Sequence, residues 1–299
     1  MIFAYQDEIK VERLINSLDY NCDFFIHVDK KINILPFKER LKNKSNVYFV
    51  KERFKVYWGG WSQVKAIMSM LSSAIELNKN NYSHIILITE TDYPIKTNKE
   101  IENFLTSHID TEFVMALDCV TNGDKEKINR IWWFDYYIDL PRIRKWITRI
   151  GNRVILPFLK KKQYCYLNKK KVHPFFGQML FAVTPKCAAY IINVYKNDKK
   201  FNSYMKTVYV PCEFYYQTII FNSPFREKTC EHGQEHQYTQ DFSWAPLHMY
   251  DYSTVIKIYK EDDFKMIADS KYLFFRKAIR GKSDKLMDLI DEMREKNAS

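Results

Sequence analysis

The chain has 299 residues, 46% of them hydrophobic and 16% aromatic, enough to build a sizeable core and to exclude wholesale disorder. Its net charge of +11 is local: eleven basic residues and no acidic one lie between Arg142 and Lys171, and the remainder balances 36 basic residues against 36 acidic. No apolar run approaches the roughly 18 residues that span a bilayer, and the start MIFAYQDEIK is too soon charged for a signal peptide, so a soluble cytoplasmic protein is expected.

In chain order, IFAY predicts a clipped strand, and Ile9, Val11, Leu14, Ile15 and Leu18 the buried side of a helix. DFFIHVD and NVYFV read as strands, SQVKAIMSMLSSAIEL as a helix, HIILITE as a strand, KEIENFLTSHI as a helix and EFVMALD as a further strand. This alternation predicts an α/β fold, a mostly parallel central sheet with helices on both faces. Ligands of such sheets bind beyond the carboxyl ends of the strands, which singles out Asp29, Glu90 to Asp92, and Asp118.

From about Lys125 to Lys171 the rhythm breaks. FFGQMLFAVT then reads as a strand, PKCAAYIINVYKN as a helix opened by Pro185, and CEFYYQTIIFNS after Pro211 as another helix. A loop-rich stretch leads to a last helix from Asp284 to Lys296, with Ser283 as its N-cap. Residues 1–299 are expected to form one domain carrying a basic insertion at about 142–171.

The six cysteines are scattered singly, which gives neither a disulfide framework nor a zinc ribbon. Cys230, His232 and His236 in CEHGQEH lack a fourth ligand at a known zinc spacing and read as a polar loop. Within the insertion, Ile143, Ile147, Ile150 and Val154 recur at helical spacing beside Trp146, and Arg142, Lys145, Arg149 and Arg153 fall on another stripe. An apolar face beside a basic one suits an anionic membrane surface, with a solvated flank as the plain alternative.

The blocks IHVDKK, VYWGGWSQVKA and IILITETDYPIKTNKEI, followed by VPCEFYYQTIIFNS and YLFFRKA, together resemble the core-2/I-branching glycosyltransferases, a family that includes peptide O-xylosyltransferases and bacterial members. The resemblance implies a GT-A type nucleotide-diphospho-sugar transferase fold, inversion at the anomeric carbon, a UDP-sugar donor and no metal cofactor. It implies Glu213 as catalytic base and a donor site of Asp29, Asp92, Tyr93, Arg276 and Lys277, with Lys277 the closer match to the diphosphate clamp. Lys127, Arg130 and Trp244 are implied on the acceptor side. Bottom-up, Glu213 also suits the dipole of a helix start, and Gly59, Gly60 and Ser62 suit a turn with an N-cap. Glu90-Thr91-Asp92 looks like a metal-binding Asp-x-Asp motif, a reading the resemblance opposes. The chain departs from the family pattern at Gln240, where an arginine four residues before the tryptophan is usual, and at Leu180, where a tryptophan is usual.

The expected activity is sugar transfer to a glycan or lipid-linked acceptor in surface polysaccharide synthesis, at the inner face of the cell membrane and without nucleic acid. A nucleic-acid- or anion-binding protein that uses the basic segment, or a degenerate transferase that only binds sugar nucleotide, are the alternatives.

Overall fold

A computed structural model describes residues 1–77, 81–122, 125–129, 131, 143, 146, 150–151, 153–154, 161–230, 232–233, 245–251 and 256–298. Four parallel strands form the central sheet in the order β3 (Val47–Phe49), β2 (Phe24–Val28), β1 (Ile2–Ala4), β5 (Ile88–Thr89). Strands β1 and β2 are buried at every position, as expected of strands covered on both faces.

The period of two along each strand assigns the two faces. Phe3 and Phe25 join a core with α3 (Trp61–Leu77) and the helices Pro185–Asn197 and Tyr215–Phe221. Ile2, Ala4, Phe24, Ile26 and Val28 join a second core with α1 (Glu8–Leu18), α2 (Leu35–Arg40) and the last helix, Asp284–Ala298. Helices thus cover both faces, the layered α/β arrangement the sequence predicts.

Local chemistry sets the helix starts. Asp7 Oδ1 accepts from Ile9 N and Lys10 N at 3.1 and 3.0 Å. Thr97 and Glu100 form a capping box, and Thr184 caps the helix opened by Pro185. Two expected caps use their hydroxyls elsewhere, although Ser283 keeps its place before Asp284, its carbonyl accepting from Met287 N at 2.9 Å. Ser62 lies inside α3, and its hydroxyl accepts from Tyr57 N at 3.1 Å, tying down the preceding turn. Ser283 Oγ donates to Tyr259 O at 2.7 Å and accepts from Ile279 N at 3.0 Å, so it fastens a loop to the helix start.

Three expected strands break where they change partners. HIILITE divides into β4 (Ile85–Ile86), antiparallel to Ala182–Val183, and β5, parallel to β1; between them Leu87 N donates to Phe181 O at 2.9 Å. EFVMALD makes isolated bridges at Glu112 and Phe113, then pairs Leu117–Asp118 with Phe175–Phe176. FFGQMLFAVT divides around Gly177, where an added Cβ would stand 2.2 Å from Met115 O. Only glycine permits that approach.

Candidate active site

Val210, in the left-handed region at φ 42°, turns the chain into the 3-10 turn Pro211–Glu213, and helix Tyr215–Phe221 follows. Glu213 therefore sits in a tight turn before the helix. Its carbonyl accepts from Gly177 N at 2.8 Å, so the close packing at Gly177 fixes the turn's height. Cys212, Phe214, Tyr215 and Tyr216 are buried, and Glu213 keeps partial exposure among them. Desolvation pushes its carboxyl up to about 7, opposed by the charge of Lys127. Lys127 lies with Nζ 3.7 Å from the centroid of the Phe176 ring, which packs on Phe214 at 5.1 Å. Lys127 O also accepts from Tyr209 N at 3.2 Å. A carboxyl poised near neutral pH has the chemistry of a general base.

A second constellation forms at the carboxyl end of β5, where Asp92 opens strand Asp92–Pro94 and Arg276 closes strand Phe274–Arg276, in register. Arg276 Nη1 donates to Asp92 Oδ1 at 2.9 Å, to Thr91 Oγ1 at 3.2 Å and to Thr89 Oγ1. The second carboxylate oxygen of Asp92 accepts from Thr89 N at 2.6 Å. His248 stacks on Phe274 and holds Nε2 3.9 Å from Asp92; burial lowers its pKa to about 4, so it is neutral at pH 7. Glu90 Oε2 accepts from Tyr5 N and Gln6 N at 2.8 and 3.0 Å, which shapes the loop between β1 and α1. Glu90 and Asp92 are both engaged inside the protein. Lys277 is half-buried, with no carboxylate partner among the described residues; burial first, then Arg276, lowers its pKa.

Asp29, after β2, is buried. Its carboxylate accepts from Lys31 N at 2.9 Å and stands 3.5 Å from Lys31 Nζ, while its carbonyl accepts from Arg53 Nη2 at 2.9 Å. Tyr93 points the other way, into the second core, where its hydroxyl donates to Asp291 at 2.8 Å and accepts from Arg13 Nε at 3.0 Å. Asp118 holds His173 Nδ1 at 2.7 Å.

The structure brings Glu213 together with Lys127, and Asp92 with Arg276 and Lys277. Arg130, Trp244 and Gln240 lie outside the described residues, as do Arg142, Lys145 and Arg149; Trp146 and Arg153 are exposed. Two features escaped the sequence. Trp58 is 62% exposed and meets Tyr209 edge-on at 6.2 Å. Gln63 Oε1 accepts from Gly59 N at 3.0 Å and from the Cys212 thiol at 3.5 Å, joining the glycine turn to the neighbour of Glu213. An aromatic beside paired glycines was the available signal for Trp58; Gln63 had none. A cavity of about 970 Å³ opens at the amino ends of the strands, lined by Met1, Phe24, Ile85 and Phe274 and by none of these site residues.

Residues 1–268 match the family model described as Core-2/I-Branching enzyme. Xylosyltransferase sqv-6 of Caenorhabditis briggsae is 23% identical over 225 residues, 74% of this chain and 26% of that protein. Xylosyltransferase 2 of Mus musculus is 29% identical over 110 residues, 36% of this chain and 13% of that protein. The chain spans about a quarter or less of the length of these curated relatives. The apo structure of WbbM, described as a bifunctional glycosyltransferase, aligns over 99% of this chain and 51% of its own at 12% identity, with a TM-score of 0.34.

Proposed function

The chain belongs to the Core-2/I-Branching enzyme family, and we propose on that footing that it is an inverting glycosyltransferase using a UDP-sugar. The acceptor hydroxyl attacks the anomeric carbon, the bond from that carbon to the diphosphate oxygen breaks, and UDP departs. Glu213 takes the hydroxyl proton. The observation that carries this reading is a partly exposed Glu213 held up to about 7 by burial beside Lys127, a base matched to neutral pH.

Lys277 is our assignment for the charge that offsets the leaving diphosphate. Arg276 spends one nitrogen on Asp92 and the threonine hydroxyls, and we keep it in the donor site beside Lys277. Engagement of Glu90 by backbone N–H groups and of Asp92 by Arg276 supports transfer without a metal ion. Asp29 we place beside the nucleoside and Lys127 beside the acceptor, with Arg130 and Trp244 kept on the acceptor side by resemblance alone. Tyr93 we assign to the scaffold.

The acceptor in this reading is a glycan or lipid-linked glycan of surface polysaccharide, met at the inner face of the cell membrane by a peripheral protein. Among the described residues, no helix is long and apolar enough to cross a membrane. The test is a panel of UDP-, GDP-, CDP- and dTDP-sugars assayed for binding, hydrolysis and transfer by wild type and by Glu213→Gln. A melting temperature raised by an oligonucleotide and by no nucleotide sugar would replace this reading with nucleic-acid binding. Binding of a nucleotide sugar without turnover would leave a degenerate transferase.

A further inference from the structure

The hairpin of strands Cys165–Leu167 and Lys170–Val172 follows the basic segment's apolar stretch and pairs Tyr166 with Lys171. Its two-residue turn places Asn168 and Lys169 in the left-handed region at φ 49° and 68°, the conformation of a tight type I′ turn. Root and tip are both pinned. Half-buried Lys161 donates through Nζ to Tyr204 O at 2.6 Å and Thr207 Oγ1 at 2.8 Å. Asn168 N donates to Asp198 Oδ2 at 2.7 Å, and Asn168 Nδ2 to Tyr190 Oη at 3.1 Å. Cys165 and Leu167 are buried on the inner face.

On the outer face the rings of Tyr164 and Tyr166 meet edge-on at 5.8 Å. Lys171 Nζ stands 4.2 Å and Lys162 Nζ 5.6 Å from the Tyr164 centroid, and Lys200 Nζ 4.0 Å from that of Tyr166. Lys169, Lys170 and Lys199 are exposed close by in sequence. Among the described residues none of these six lysines pairs with a carboxylate, and Asp198 is occupied by the backbone N–H groups of Asn168 and Phe201. The tyrosine rings order three ammonium groups and leave their charge intact.

We propose that this lysine–tyrosine face docks on the anionic headgroups of a bilayer. The proposal rests on the reading of the chain as a transferase at a membrane and names the element and the lipid chemistry that hold it there. A bilayer fits better than a soluble polyanion because the same basic segment exposes Ile143, Trp146, Ile150 and Val154, with Trp146 64% exposed. Their helical spacing offers apolar groups to the interface, which a soluble polyanion would leave unused.

The experiment is co-sedimentation of the full chain with phosphatidylcholine vesicles, with and without phosphatidylglycerol, at low and high salt. Wild type should sediment with the anionic vesicles alone and be released by salt. Each lysine near an anionic leaflet contributes roughly a fivefold factor in partitioning, so Lys162→Gln/Lys171→Gln/Lys200→Gln should bind roughly a hundredfold more weakly. The corresponding glutamate triple variant should bind more weakly still, with melting temperatures and sugar-nucleotide thermal shifts unchanged in both. Equal sedimentation of the triple variants and wild type overturns the proposal. So does wild type that ignores anionic vesicles at low salt yet binds inorganic polyphosphate in a way the triple variants lose, which would make a soluble polyanion the ligand. Loss of the sugar-nucleotide shift in wild type, with vesicle binding kept, would sink the transferase reading and leave this face standing.

Discussion

Asp92 and Arg276 form a buried ion pair, Oδ1 to Nη1 2.9 Å, that bridges two antiparallel strands 184 residues apart in sequence. Removing one member leaves the other charge without its partner in a largely buried site, where Asp92 is 0% and Arg276 15% exposed, which costs about 3–5 kcal/mol. Arg276→Ala and Asp92→Ala should each lower stability by about that amount in urea titrations, and the double variant should lose less than the sum. Additive losses would show that the pair is not energetically coupled.

Glu213→Gln should slow transfer by about 10²–10⁴ and leave donor affinity nearly intact, since a general base acts on the acceptor proton. Isothermal titration with the sugar nucleotide, beside initial rates, separates the two effects. Transfer by the variant within about threefold of wild type removes Glu213 from the mechanism.

The same carboxyl sets two pH dependences. Its folded pKa of about 7 exceeds the ordinary 4.5, so between those values the folded state binds more protons than the unfolded state. Its contribution to stability therefore falls as pH rises through that window. Glu213→Gln should melt above wild type at pH 8 and with it near pH 4. The transfer rate of wild type should climb with pH through a midpoint near 7 and level off about one pH unit higher, and an acid-side midpoint near 4.5 would mean that burial does not tune this group.

Lys277→Ala should weaken UDP binding by about 1.5–3 kcal/mol, the scale of a charge-assisted hydrogen bond. Transfer should continue in EDTA, because Asp92 is already committed to Arg276. Loss of activity in EDTA, restored by Mn²⁺ or Mg²⁺, would identify Glu90-Thr91-Asp92 as a metal motif.

Gly177→Ala should disturb catalysis from a distance. The new methyl would meet Met115 O at 2.2 Å, and Gly177 N holds the carbonyl of Glu213 at 2.8 Å. The strand must shift and carry the Glu213 turn with it, at a stability cost of about 1–3 kcal/mol. Kinetics should show kcat falling with sugar-nucleotide affinity preserved, and an unchanged kcat would uncouple Gly177 from the turn.

Periodicity and punctuation in the sequence determined the α/β layers, the start of the helix that Pro185 opens, and the strand end where Asp29 stands. These are legible because each is decided within one element, by the alternation of buried positions or by a cap three residues away. Only the tertiary structure decided what those residues do. HIILITE looks like one strand, yet it divides because Ile85–Ile86 lie antiparallel to Ala182–Val183 while Ile88–Thr89 run parallel to β1. Asp92 gains its partner Arg276 from the far end of the chain, and Tyr93 beside it turns into a core anchored by Asp291. Gln63 gave no sign of reaching Cys212, because that contact closes a loop of 149 residues. Strand register and crossovers set such meetings, and no local pattern encodes the charge or burial that a distant element brings to a side chain.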